Sequence, residues 1–282
     1  VLDDPDWQSA GLLRSLKDKA RRQLGTSGSG NHFVEFGALE VAQRDDLLGL
    51  EPGRYLALLS HSGSRGTGYQ IAEHYSRLAK EAHPELAAGG RGDLSHLGWL
   101  ELQSEAGQEY WVAMNLAGRY SSANHRVIHR QVAKAAGLKP LAVVENHHNF
   151  AWLERLPDGR TAVVHRKGAT PAGPGVLGVI PGTMGDPGYV VRGTGAPAAL
   201  SSASHGAGRR LSRSQALKAV TKTQRDQYLR ERGVILLGGG LDEAPQAYKN
   251  IDDVMAAQRD LVEPVARFQP RLVMMTDDPR DV

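Results

Sequence analysis

The chain has 282 residues and no cysteine, which excludes disulfides and thiolate metal sites; at this length a core can be buried without either. Its 34 basic residues stand against 31 acidic ones, and the formal net charge of +3 is too small to imply nucleic acid by itself. No apolar run approaches the roughly 20 residues of a membrane span, and the start lacks the basic-then-apolar pattern of a signal peptide, so a soluble cytoplasmic protein with no membrane partner is expected. The opening Val1-Leu2-Asp3-Asp4 has no methionine and reads as part of a longer product.

Taken in chain order, residues 7–24 mix apolar and basic positions at helical spacing and stop at Gly25. Residues 33–41 and 54–59 alternate or run apolar as strands do. Residues 84–98, rich in Gly and Ala, read as a surface loop. A long helix is predicted over 105–136, ended by Gly137. Short strands are predicted at 141–145, 161–165, 176–180, 188–192, 234–237 and 271–275, and helices at 212–231 and 251–262. Strands and helices mix without a βαβ rhythm, so the expectation is α+β: one compact domain over 1–282 with mixed β-sheets flanked by helices.

The chain carries 11 histidines and 33 glycines, and its polar motifs fall in glycine-rich turns at strand ends, where a rigid scaffold displays chemistry. Gly25-Thr-Ser-Gly-Ser-Gly-Asn31-His32 has the glycines of a phosphate loop, but Asn31-His32 stands where such a loop needs Lys-Ser/Thr. It suits backbone donors for phosphate beside an imidazole ligand, or simply a turn before a strand. In Ser60-His61-Ser-Gly-Ser-Arg65-Gly66, His61 can ligate a metal and Arg65 can clamp a phosphate or make a salt bridge. In Glu145-Asn-His147-His148-Asn149 adjacent side chains point opposite ways, so at most one histidine is a ligand. His165-Arg166-Lys167-Gly168 offers an anion-binding pair, and Pro181-Gly-Thr-Met184-Gly offers backbone groups to a nucleotide. In Ser204-His205-Gly206-Ala207-Gly208-Arg209, followed by Ser212-Arg213, a sterically accessible imidazole precedes two arginines. That arrangement suits a nucleophile attacking phosphorus, or a capped helix start. Hydrolase elbows, zincin helices and Rossmann fingerprints are absent.

In this order, GTSGSGNHFVE, HSGSRG, AMNLAGRYSSANHRVIHRQV, ENHHN, HRKGAT, PGTMG, SHGAGR and EAPQAYKNID resemble the RtcB type of RNA-splicing ligase over nearly the whole chain. The resemblance implies that GMP from GTP is loaded onto His205 with manganese assistance, two ions serving the complete enzyme. The guanylate then passes to an RNA 3′-phosphate (a 2′,3′-cyclic phosphate is opened first), and a 5′-hydroxyl attacks the activated end. By position His32, His61 and His148 match metal ligands. Asn31, His32, Phe33, Val34, Glu35, His148, Asn149, Pro181, Gly182, Thr183, Met184 and His205 to Gly208 match guanylate-binding stretches, and Tyr248 matches the aromatic stacked on guanine. Arg65, Lys167, Arg209 and Arg213 match basic residues that serve phosphate. Implied partners are RNA (tRNA halves or cleaved RNA), GTP and possible activating protein. The chain departs from the family pattern in lacking its N-terminal Asp-x-x-Cys metal ligands. Ser204 stands where cysteine is usual, Gly188 where the guanylate pocket has a serine, and Thr276 where a lysine contacts guanine. Two rival readings are an RNA-binding or regulatory relative without a working metal centre, and a metal-dependent phosphoesterase that does not need His205.

Overall fold

The amphipathic start of the chain is built as a 3-10 turn at Pro5–Gln8, capped by Asp4, and helix α1 (Gly11–Gln23). Leu13, Leu16 and Ala20 recur on one buried face of α1, the spacing a core-facing helix needs. Helices α2 (Arg65–Ala82) and α3 (Glu105–Ala135) add Ile71, Tyr75, Ala113, Leu116 and Tyr120 to the same core, together with Trp7. Trp7 meets Tyr120 edge-on at 6.4 Å. The buried Tyr120 hydroxyl donates to the Ala20 carbonyl at 2.8 Å, so its polar end is satisfied. Burying each such side chain contributes about 1.5–3 kcal/mol.

In the computed structural model, which describes residues 1–87 and 94–276, contacts gather in two compact units. The first, residues 1–26 with 62–132, is this helical one; the second comprises residues 27–61 and the chain from Ala133 onward. The first unit has a polar tie of its own. Asn124 on α3, fully buried, accepts from the Gly25 amide at 2.7 Å, and its side-chain nitrogen donates to the Thr26 carbonyl, the Ser62 hydroxyl and the Gly63 carbonyl at 3.1 to 3.3 Å.

The second unit runs, in chain order, through β1 (Phe33–Val41), β2 (Gly53–His61), β3 (Asn149–Arg155), β4 (Thr161–Lys167), β5 (Ala169–Pro171), β6 (Leu177–Ile180), β7 (Gly188–Gly193) and β8 (Ser202–Ser204). It continues through α4 (Arg213–Ala219), α5 (Lys222–Glu231), β9 (Ile235–Gly238), α6 (Ile251–Ala256) and β10 (Val262–Met275). The main sheet has the order β2-β1-β10-β7-β6, antiparallel throughout, with β9 joined in parallel to β10. β3 with β4, and β5 with β8, form two small antiparallel sheets. The expected α+β architecture with a mixed sheet and helices is therefore what forms. Val273 and Met275 of β10 pack with Met184, Leu229 and Val234, while Ala266 and Phe268 pack with Leu39, Val41 and Val190.

Several boundaries differ from the sequence reading. Residues 141–145 form no strand; Leu141 and Val143 are exposed, because an apolar run without a ladder partner has nothing to pair its backbone with. The helix predicted over 212–231 is two, since Thr221 starts a second capping box with Gln224 just as Ser212 does with Gln215. The helix predicted over 251–262 stops at Ala256, and β10 begins at Val262, nine residues earlier than 271–275 suggests. Pro264 and Pro270 disguise that strand: Pro264 sits at a register shift against β7, and Pro270 pairs with Gly37 beside a bulge in β10 at Arg271, places where a missing N–H is tolerated. Gly37 is required there, as a Cβ would come within 2.3 Å of the Gln269 carbonyl oxygen. The loop read at 84–98 carries 3-10 turns at Pro84–Leu86 and Ser95–Leu97, and 88–93 lie outside the described residues. Among the described residues no helix is long and apolar enough to cross a membrane.

Candidate active site

Four strand ends of the second unit bring four histidines into a row. Across β1 and β2, Phe33 pairs with His61, which sets His61 next to His32. The His32 and His61 ring centres are 6.0 Å apart, those of His61 and His148 4.9 Å, and those of His148 and His205 4.8 Å. The last two rings stack with planes 28° apart. Gly168, in the left-handed region where β4 turns into β5, holds the far end of the row by its backbone. Its N–H donates to the His148 carbonyl at 3.0 Å, and its carbonyl accepts from His205 Nδ1 at 2.9 Å.

That last bond fixes a tautomer. A carbonyl only accepts, so Nδ1 carries the proton and, in the neutral ring, Nε2 carries the lone pair. His205 is partly exposed, so this nitrogen is placed as a nucleophile needs it. The residue before it is held at both ends: the Ser204 amide donates to Gln258 Oε1 at 3.0 Å, and Gln258 Nε2 donates to the Ser204 hydroxyl at 2.8 Å. Ala207 donates to the Pro181 carbonyl at 3.1 Å, which lays the His205–Gly208 turn against the Pro181–Met184 loop. A Cβ on Gly182 would meet the Pro187 carbonyl oxygen at 2.2 Å, and one on Gly188 the Pro181 Cα at 3.2 Å. Thr183 accepts from the amides of Gly185 and Asp186 and donates to the Asp186 carboxylate, which also takes the Tyr228 hydroxyl at 2.6 Å.

The two adjacent histidines separate as extended backbone requires. His148 joins the row, while His147 stacks on Phe150 at 5.5 Å. His61 Nε2 and His148 Nε2 lie 3.1 Å apart in a hydrogen bond. Two ligands at right angles on an octahedral ion with bonds of about 2.1 Å would be about 3.0 Å apart, so this pair fits one divalent ion. Among the described residues no group of three or more His, Asp or Glu side chains is gathered round one point, so the pair would need oxygen ligands from elsewhere. Glu35, on β1, is 5% exposed, and burial alone pushes its carboxyl up from 4.5 to about 8. Its register neighbours, Val273 and Leu59, are apolar.

The remaining expected residues divide by surroundings. Asn31, Asn149 and Lys167 are exposed at strand ends, with Asn149 opposite Lys167 across β3 and β4. Phe33 and Met184 pack in the apolar core, so Met184 can serve a ligand only through its backbone. Val34 is half-buried on β1. Arg65 belongs to the first unit, at the start of α2 with φ of 56°; its Nε donates to the Thr26 hydroxyl at 3.1 Å, and burial lowers its guanidinium pKa.

Arg209 and Arg213 are not on one helix. Arg209 bridges Tyr248 by its backbone, and Arg213 opens α4 after the Ser212 cap. Arg209 donates to the Leu211 carbonyl at 3.0 Å, the Tyr248 hydroxyl at 3.1 Å and the Asp242 carbonyl at 2.5 Å, and lies 4.9 Å over the Tyr248 ring. Arg213 pairs with Asp242 and Glu243. Asp242, Asp186, Tyr228 and Gln258 are site neighbours that sequence reasoning missed, and Glu243, first residue of the EAPQAYKNID segment, is given no role there.

The profile of the family described as tRNA-splicing ligase RtcB matches residues 6–276. The RNA-splicing ligase RtcB of Mycobacterium tuberculosis is 37% identical over 88% of this chain and 63% of its own length. The tRNA-splicing ligases RtcB of Thermococcus kodakarensis and Methanocaldococcus jannaschii are each 34% identical, over 95% and 88% of this chain and 61% and 29% of their own lengths. The chain thus spans less than two thirds of the length of these curated relatives.

Proposed function

The chain belongs to the RtcB tRNA-splicing ligase family, and from that premise we propose that it carries the nucleotide-transfer centre of an RNA ligase that uses GTP and manganese. The observation that carries this reading is the end of the histidine row, where the Gly168 carbonyl holds Nδ1 of His205 and leaves Nε2 toward incoming phosphorus. Nε2 attacks the α-phosphorus of GTP; a P–N bond forms, and the bond to pyrophosphate breaks. An RNA 3′-phosphate oxygen then attacks the same phosphorus and displaces the histidine, giving a P–O–P link. The 5′-hydroxyl of a second RNA attacks the 3′-phosphorus, loses its proton, and GMP departs.

His61 and His148, with His32 beside them, would hold the metal, which when bound offsets charge on phosphate oxygens. Gly206, Ala207, Gly208 and the Pro181–Met184 loop offer backbone groups to the guanylate, and Gly188 leaves room beside that loop. Tyr248 offers a ring face to guanine, and Phe33, Val34 and Glu35 belong to the guanylate-binding stretch by their place in the family pattern. Asn31, Asn149 and Lys167 line strand ends near the row. Arg65, Lys167, Arg209 and Arg213 are assigned to phosphate. One uninterrupted family match across both units supports reading 1–282 as a single ligase domain. RNA as tRNA halves or cleaved ends, an activating protein and a cytoplasmic setting belong to the same proposal.

The test is incubation with α-labelled GTP and manganese, followed by denaturation and mapping of the covalent label. The expected label is an acid-labile phosphoramidate on His205. A label on His147 or His165, or ligation that proceeds after His205→Ala, overturns the reading.

A further inference from the structure

Arg209, Arg213 and Tyr248, all assigned above to nucleotide or phosphate, converge on one carboxylate to which the sequence reading gives no role. Glu243 is 4% exposed. Its Oε2 takes the Tyr248 hydroxyl and lies 3.3 Å from Arg209 Nη1, and its Oε1 faces Arg213 Nη1. Shut off from water, this charge depends on the two guanidiniums for its balance. The Tyr248 phenol is raised in pKa, first by burial and then by the Glu243 charge, so it remains a donor to that carboxylate. One face of the ring is covered by Arg209.

We propose that Glu243 is a positioning residue of the nucleotide site: its carboxylate anchors the Tyr248 ring for stacking and holds Arg209 and Arg213 against bare anions. The inference rests on the nucleotide-transfer reading and adds to it a source of selectivity. Asp242 and Glu243 offset both arginines, so an inorganic polyphosphate must compete with two internal carboxylates for them. A ligand that also carries a base gains the anchored ring. Arg213, with 45% of its side chain exposed, is the cation able to swing onto phosphate; Arg209, at 25% and tied to three oxygens besides Glu243, stays.

The test compares the full chain with E243Q, an isostere that removes the charge. By calorimetry E243Q should bind inorganic triphosphate roughly two- to fivefold more tightly, while its preference for GTP over triphosphate falls about fivefold or more. A purely structural glutamate predicts the opposite for the first ligand: both affinities fall together, and that result, or no change in either, overturns the proposal. Should E243Q fail to fold, D242N removes one of the two carboxylates that hold Arg213 and leaves the Arg209 pairing with Glu243 in place. It should tighten triphosphate with the GTP preference kept, and weaker triphosphate binding would count against the proposal. A ligand-free measurement separates this inference from the ligase reading. The Tyr248 hydroxyl proton, identified by its loss in Y248F, should give a slowly exchanging downfield NMR signal that E243Q removes. If that signal is present but the wild type binds no GTP, the ligase reading falls and the anchor stands. If the wild type shows no such signal, the anchor falls.

Discussion

The histidine row and the arginine cluster belong to the same unit, yet they are held in opposite ways. The rings stand at strand ends, placed by ladder register and by the Gly168 backbone, and His205 presents Nε2 outward. The arginine heads are held by their own charges, with Asp242, Glu243 and Tyr248 occupying the donors that phosphate would use. Backbone placement leaves a functional atom available at little cost in stability. Placement by side-chain pairing makes the functional group part of the fold. Substitutions in the row should therefore remove chemistry and spare stability, and substitutions in the cluster should cost stability along with chemistry.

The sharpest break between the two is His205→Ala. It should abolish covalent labelling by GTP while moving the melting temperature by no more than about 2 °C, read by gel and by thermal melt. A large fall in melting temperature would place His205 with the cluster.

Glu35 tests whether the row's own strand is free of cost. The folded protein keeps a proton at Glu35 that the unfolded chain loses between 4.5 and about 8, so stability is lost as pH rises through that window. Glu35→Gln removes the dependence and should exceed the wild type by about 1–3 kcal/mol at pH 8, with little difference near pH 4.5. Denaturant titrations at the two pH values check it, and parallel curves would refute it.

In the cluster, Arg209→Lys keeps the charge but loses the planar fork and the bonds to Leu211, Asp242 and Tyr248. A loss of about 1–2 kcal/mol in unfolding free energy is expected. An unchanged melt would mean that the cluster is not a structural tie.

For the metal, His61→Ala or His148→Ala should weaken manganese binding roughly tenfold, about 1.4 kcal/mol, by calorimetry. The 282-residue chain has no thiolate and no converged carboxylate among its described residues, so one ion at most should bind. Two tightly held manganese ions would contradict this.

His32, His61 and His205 were legible because each sits at a strand end marked by glycines, and such ends are written locally in the sequence. The residues alone leave His147 and His148 open and the resemblance picks His148; the Phe150 stack on His147 is a contact only the fold supplies. The role of Glu243 was not legible: it opens the EAPQAYKNID segment, but its partners appear only once Arg209, Arg213 and Tyr248 close on it from both sides of the chain. The strand β10 was hidden by its prolines, whose tolerance depends on bulges that appear only once partners are registered. Local signals thus announced the groups, and non-local pairing decided their company.

The Asn124 tie in the helical unit has a kinetic consequence. Its amide bonds to Gly25, Thr26, Ser62 and Gly63, partners 61 to 99 residues away along the chain. Closing loops of that length precedes any gain from the contacts, so the amide is satisfied only after α1, α2 and α3 have met. Asn124 is therefore a late piece of the folding reaction, and truncating it speeds escape from the native state while barely slowing arrival. The lifetime of the folded unit, rather than its rate of formation, is what this side chain sets.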